Sequence, residues 1–264
     1  PMQRTWFAMS GSAADDIPRE CNWSVSTKSE FSVTPDHIDV WRIPLAVSSD
    51  KLTDLAAQLC SDERQRANRF LREEPRQRFI VGRAQLRRIL AKYMKVTAAE
   101  IRFEYEPLGK PQVAPLSCET RIRFNLSQSG NVALLGVGSN REVGIDVELI
   151  RPVRQAQELA QRYFSSSESK ALRELPSHQH NEAFLRLWTC KEAFLKALGC
   201  GLSFPLDQVT INMDTINSPH IQSVRGTSPQ ETWQLTSLTP GPDYIGALAS
   251  PGPPHSISCW RCPD

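Results

Sequence analysis

Asp146 and Glu148 stand one residue apart inside an otherwise apolar run, Val143-Gly-Ile-Asp-Val-Glu148. In a strand, successive side chains point to opposite faces, so these two carboxylates project side by side while Ile145 and Val147 share the other face. Adjacent carboxylates repel and are costly to desolvate, so the pair requires either a solvated edge or a cation between them. Further on, Trp188-Thr-Cys-Lys-Glu-Ala-Phe-Leu-Lys196 has a helical pattern that brings Glu192 and Lys196, four apart, onto one face. Such a pair on its own is a surface support worth about 0.3–0.5 kcal/mol. Together with Asp146 and Glu148 it makes three carboxylates and one ammonium, an oxygen-rich set of the kind that selects Mg2+ and binds substrate phosphate through it.

A second set of donors lies upstream. Phe124-Asn-Leu-Ser-Gln-Ser-Gly130 ends a strand in small polar residues, which serve either as a plain strand exit or as a phosphate cradle. Gly109-Lys110-Pro111 presents a cation on a turn, with the same two readings. From Arg64 to Lys95, nine Arg and two Lys face Glu73 and Glu74, a local charge of +9 in a chain of net +2. That stretch implies an anionic partner. Nucleic acid is the poorer fit, because Phe70, Phe79 and Tyr93 are the stretch's aromatic residues and it holds no nucleic-acid-binding motif.

The elements that must carry these residues are an α+β set. Residues 1–36, rich in Ser, Asp and Pro, read as a partly irregular N-terminal extension. Alternation predicts a strand over 37–45, then a helix over 48–60, a helix opened by Ser61, and a long helix over 78–95. Strands follow at 101–105, 121–125 and 132–137, the last expected to form a hairpin with 143–150. Helices are expected over 155–164, from a capping box at Ser165-Ser-Ser-Glu168, and over 182–198, ending at Gly199. Short strands over 209–213, 232–238 and 244–249 close the sequence. Ser61–Leu90 and Ser165–Leu198 share a layout, so the chain reads as two related α+β halves, 37–142 and 143–264, each with helices on a small mainly antiparallel sheet. The second half would carry the acid cluster.

At 264 residues, 40% hydrophobic and 23% charged, the chain is globular rather than disordered. It has no apolar run of the roughly 18–20 residues that span a bilayer, so a membrane is not expected. Seven scattered cysteines are the pattern of reduced intracellular thiols, and Cys259-Trp-Arg-Cys262 is half a zinc site without a second half. A soluble, cytoplasmic, monomeric protein is the expectation.

Taken in order, Gly109-Lys-Pro111, Phe124–Gly130, Val143–Glu148 and Trp188–Lys196 resemble the broad-substrate, Sfp-type 4'-phosphopantetheinyl transferases, over residues 37 to 250. The resemblance implies a pseudo-dimer of two α+β halves. It also implies Mg2+-dependent transfer of the phosphopantetheine arm of coenzyme A to a serine of an apo acyl or peptidyl carrier protein, releasing adenosine 3',5'-bisphosphate. By position, Asp146, Glu148 and Glu192 would hold Mg2+ on the pyrophosphate, Lys196 would contact the same phosphates, and Glu192 would take the serine proton directly or through a metal-bound water. Ser127 and Gln128 would bind the 3'-phosphate with Arg83, Lys110, Arg64 and Arg78. Many members carry His where this chain has Gln128, which replaces a titrating contact by an amide. A phosphate-ester hydrolase or nucleotidyl transferase could use the same acids, and a non-catalytic nucleotide or acidic-protein binder could share the fold, but Asp146, Glu192 and Lys196 are all present.

Overall fold

The alternating residues of His37–Pro44 form a strand (β2) whose apolar members Ile38, Val40, Trp41 and Ile43 are buried. The computed structural model describes residues 22–26, 28–114, 121–201, 204–213, 219–225 and 232–263, so Cys21, Cys118 and most of the expected extension lie outside the described residues. The described chain divides into two units, 22–141 with 255–263, and 142–254. It is a mixed α+β protein.

In the first unit a five-stranded sheet runs β1 (Ser24–Val25), β12 (Ser256–Arg261), β2, β6 (Val132–Ser139), β5 (Ile122–Ser129). β2, β6 and β5 pair antiparallel; β12 joins β2 in parallel. Gly130, at φ 54°, turns β5 into β6, a left-handed conformation that glycine adopts without a Cβ clash. Helices α1 (Ser49–Ala57), α2 (Ser61–Asn68) and α3 (Glu73–Met94) bury Leu55, Ala67, Ile80, Val81, Ala84, Leu86 and Leu90 in one core with Trp41, Ile43, Phe124, Leu135 and Val137. A ribbon, β3 (Phe103–Tyr105) with β4 (Pro111–Val113), precedes β5.

The second unit has a three-stranded antiparallel sheet in the order β10 (Trp233–Gly241), β11 (Tyr244–Pro251), β7 (Gly144–Leu149). Helices α4 (Ala156–Tyr163), α5 (Ser166–Glu174) and α6 (His180–Leu198) share a core of Phe164, Leu172, Phe184, Leu187, Phe194 and Ala247. A ribbon, β8 (Val209–Asn212) with β9 (His220–Val224), precedes β10.

The two units repeat one plan. Strand, three helices, ribbon and hairpin follow in the same order, β2-α1-α2-α3-β3-β4-β5-β6 against β7-α4-α5-α6-β8-β9-β10-β11, with sheet orders β2-β6-β5 and β7-β11-β10. A buried ion pair repeats as well. The Cys60 and Ser165 N-caps of α2 and α5 both form capping boxes, with Glu63 and Glu168 as the reciprocating acids. Glu63 accepts Arg87 Nε at 2.8 Å, and Arg87 Nη1 donates to the carbonyls of Ala98 and Ile101 at 3.0 and 2.9 Å. Glu168 accepts Lys191 Nζ at 2.7 Å, and Lys191 donates to the carbonyls of Leu206 and Val209 at 2.8 and 2.5 Å. Arg87 and Lys191 each stand two helical turns before the end of the long helix.

Several expectations are corrected. α2 is capped by Cys60, because the reciprocating acid is Glu63, three residues on, and Ser61 falls inside the helix. α3 begins at Glu73 rather than 78: Pro75 sits in the first turn, where its missing N–H has no intrahelical partner to lose. β5 continues through Ser129, and the expected hairpin of β6 with 143–150 does not form. β6 lies in the first unit's sheet and β7 pairs with β11 instead, with Asn140 at φ 52° in the stretch between them. Residues 255–263, expected in the second half, belong to the first unit: β12 docks beside β2, and Trp260 Nε1 donates to the buried Asp39 at 2.7 Å.

Removing one partner of a buried ion pair strands the other, so Lys191→Met is expected to lower the unfolding free energy by about 3–5 kcal/mol in a urea titration. Burial pushes the Glu63 carboxyl up, but donation from Arg87, the Cys60 amide and Arg83 outweighs it and holds its pKa below the usual value. The stability this carboxylate supplies is present above the unfolded-state pKa of about 4.3 and is lost as pH falls through the lower folded value. The advantage of the natural chain over Glu63→Gln should therefore be full at pH 7 and shrink below about pH 4.3. An unchanged gap at acid pH would contradict this account.

Candidate active site

β7 is an edge strand among the described residues, and it places Asp146 opposite Ala247 and Glu148 opposite Ile245 of β11. Asp146 is buried and Glu148 half-buried. α6 lies on this strand backbone to backbone. A Cβ added at Gly144 would stand 2.0 Å from the Ala193 carbonyl oxygen and 2.2 Å from the Ala197 nitrogen, so no larger residue fits without moving the helix. The residues just before those two contacts are Glu192 and Lys196. The close approach allowed by Gly144, Ala193 and Ala197 therefore delivers the acid and the ammonium to the carboxylates of β7.

Lys196 Nζ lies 2.5 Å from Asp146 Oδ1. Burial raises the pKa of Glu192; Lys196 pulls it down, and Asp146 and Glu148 push it up again. All four predicted residues of this cluster thus act on one another. Glu192 Oε1 is buried without a hydrogen-bond partner, an acceptor aimed at a cation or a proton rather than at another protein group. Among the described residues no three His, Cys, Asp or Glu side chains are drawn together as a ligand cage. The donor set is hard and anionic, and with the orphaned Glu192 oxygen it fits a magnesium-like ion. The neighbouring Lys191 was legible in the sequence as a motif member but not in its role, which is the buried ion pair with Glu168. Trp188 is structural too, its ring stacked on Phe184 at 5.9 Å and edge-on to Tyr163 at 6.2 Å.

The other predicted residues lie in the first unit. Ser127 is buried and Gln128 exposed, both within β5. Gln128 Oε1 is 3.4 Å from the position a Cβ would take at Gly82, so α3 passes beside it. Arg78 donates to Glu74 and to Asn131 Oδ1 at 3.2 Å beside the β5–β6 turn. Arg83 donates to Glu63 at 2.6 Å and to the Tyr105 hydroxyl at 3.1 Å, with its guanidinium 4.0 Å from the Phe103 ring centre. Arg64 donates to the Leu59 carbonyl. Lys110 follows Gly109, whose φ of 87° sets the turn into β4. Around Arg83 a cavity of about 390 Å3 is lined by Arg66, Phe79, Arg102, Phe103 and Tyr105. Sequence reasoning had not assigned these residues, although Arg66 and Phe79 belong to the basic stretch and form a cation–π contact at 5.3 Å.

Because the Gly144 contact is with helix backbone, Gly144→Ala is expected to lower the unfolding free energy by about 3 kcal/mol, the upper end of the cost of over-packing. Equilibrium unfolding in urea measures it, and a change under about 0.5 kcal/mol would show that α6 yields without cost.

Two family models divide the chain between them: the 4'-phosphopantetheinyl transferase superfamily model matches residues 142–249, and a 4'-phosphopantetheinyl transferase N-terminal model matches residues 46–139. The chain is 42% identical over 222 residues to the 4'-phosphopantetheinyl transferase HetI of Nostoc sp., covering 84% of this chain and 91% of that one. It is 34% identical to a putative 4'-phosphopantetheinyl transferase of Synechocystis sp., over 69% of this chain and 72% of that one. It is 29% identical to the 4'-phosphopantetheinyl transferase Sfp of Bacillus subtilis, over 75% and 85%. The acid cluster on β7 and α6 falls inside the first matched segment and the basic helices inside the second, and the chain belongs to the 4'-phosphopantetheinyl transferase family of enzymes.

Proposed function

We propose that this enzyme transfers the 4'-phosphopantetheine arm of coenzyme A to a serine of an apo acyl or peptidyl carrier protein, with Mg2+, releasing adenosine 3',5'-bisphosphate. The observation that carries the reading is the meeting of Asp146, Glu148, Glu192 and Lys196, with Glu192 Oε1 buried and unpartnered. The serine oxygen attacks the phosphorus bearing the pantetheine arm; the bond from that phosphorus to the bridging oxygen breaks, and the electron pair leaves on the nucleotide. Glu192, its proton affinity raised by burial and by two neighbouring carboxylates, accepts the serine proton. Lys196 turns from Asp146 towards the pyrophosphate and offsets charge on the leaving oxygen. Asp146, Glu148 and Glu192 would hold Mg2+, which would further neutralise that charge.

At the nucleotide end, Ser127, Gln128, Arg83 and Lys110, with Arg64 and Arg78, hold the 3'-phosphate, and the aromatic rings beside Arg83 suit the base. The excess of positive charge on α3 suits an acidic carrier surface. Cytoplasmic action accords with five described cysteines that are all free thiols. Among the described residues no helix is long and apolar enough to cross a membrane.

Incubation with coenzyme A, Mg2+ and an apo carrier protein should raise the carrier's intact mass by one phosphopantetheine arm. The gain should vanish in Glu192→Gln and on chelation of divalent metal. Coenzyme A binding without any mass gain on several carriers would replace this reading by a non-catalytic one. Because an amide does not titrate near neutrality, coenzyme A affinity should show no step assignable to position 128 between about pH 6 and 7, and Gln128→His should introduce one. A step lost in Gln128→Ala would refute this.

A further inference from the structure

The repeated plan gives the acid cluster a counterpart in the first unit. β2 carries His37-Ile-Asp-Val-Trp41 where β7 carries Gly144-Ile-Asp-Val-Glu148, and aligning Arg87 with Lys191 sets Arg88 at the place of Glu192 and Lys92 at the place of Lys196. Asp39 thus matches Asp146, and Trp41 matches Glu148. Two of three carboxylate positions have become a cation and an indole. The third is engaged: Asp39 accepts from the Tyr93 hydroxyl and from Trp260 Nε1, both at 2.7 Å.

The packing differs in the same direction. Where Gly144, Ala193 and Ala197 let α6 touch β7, the counterparts His37, Ile89 and Tyr93 are large, and a cavity of about 480 Å3 lies among α3, Lys51 of α1, Trp41 of β2 and Cys262-Pro263. Trp41, Gln85, Ile89 and Cys262 form its buried floor, and Lys51, Arg88 and Lys92 stand around it. Gln85 is 7% exposed and its side chain lines the cavity. The recorded partners of the three cations are uncharged: the Pro263 carbonyl for Lys51, the Gln58 carboxamide for Arg88 and the Lys28 carbonyl for Lys92. No carboxylate lines the cavity among the described residues. The cations converge on Cys262: burial pushes its thiol up to about 11, and Lys92, Lys51 and Arg88 are the groups that oppose the shift.

We propose that this cavity binds a small organic anion, a carboxylate or phosphate monoester with a short apolar body. The head group meets Lys51, Arg88 and Lys92, the Gln85 amide donates to it, and the body lies on Ile89, Ala91 and Trp41. The volume is that of a small-molecule site, and an anion joined to two or three cations in a partly dry cleft gains charge-assisted hydrogen bonds.

The test is an amide NMR titration of the full chain with butanoate, n-butyl phosphate and, as the uncharged control, 1-butanol. Either anion should shift the Gln85 side-chain amide and the Cys262 backbone amide saturably, and whichever binds more tightly names the head group. Arg88→Gln should weaken that binding about tenfold or more. Gln85→Leu, which is close in volume, should weaken it without lowering the unfolding midpoint. Equal shifts by butanol, or shifts at Arg83 and Phe103 with Gln85 unmoved, would overturn the proposal. Binding that appears only in Asp264→Asn would also overturn it, since the cations would then belong to the chain's own carboxylate.

Discussion

A buried carboxylate that caps one helix and pairs with a cation on the next is the constraint on which each unit is built. Glu63 and Glu168 close capping boxes with their own N-caps and then reach Arg87 and Lys191. The cation passes on to two carbonyls of the segment that leads into the ribbon strands. A buried pair of this kind adds little net stability over an apolar replacement, but leaving either member unpaired costs several kcal/mol. Its consequence is geometric. Short helix, long helix and following strand are fixed to one another by buried charges that are costly to separate.

That constraint sets the chemistry of the second unit. Lys191 and Glu192 are adjacent in sequence yet face opposite environments, one locked to Glu168 and the other turned to β7. With Lys191 fixed, the rotation of α6 about its axis is fixed, and so is the face that carries Glu192 and Lys196. Gly144 then sets the distance between helix and strand. Rotation and separation together bring three carboxylates and an ammonium, from two elements fifty residues apart, within electrostatic reach of one another.

Much of this was legible in the sequence. The acid pair, the Glu192–Lys196 spacing, the Ser165 capping box and the Gly199 stop depend on local pattern, and the structure shows each of them. What failed depended on partners distant in sequence. β6 and β7 looked like a hairpin because a short turn joins two apolar runs; which sheet each enters is decided by β2 and β11. β12 was read as a pair of thiols, because its strand character comes from lying against β2 and from Trp260 packing with Phe31 and Trp41. Arginines of the basic stretch also have partners within the chain: Arg83 and Arg87 share Glu63, and Arg64 donates to a backbone carbonyl. Spacing cannot reveal such prior engagements.

The duplication explains why one copy of the plan holds an acidic site and the other does not. Keeping the ion pair, the Ile-Asp-Val stretch and the terminal lysine preserves the scaffold, so the residues between them are free to change charge. Bringing α6 onto β7 with glycine and alanine sets helix backbone against strand backbone at Gly144. Between α3 and β2 stand the larger Ile89 and Tyr93, and the carboxylate of Asp39 is bonded to Tyr93 and Trp260. Helix-to-strand separation and site charge therefore vary together: a close pair concentrates acids that need a cation, and a wider pair with cations at its rim suits an anion.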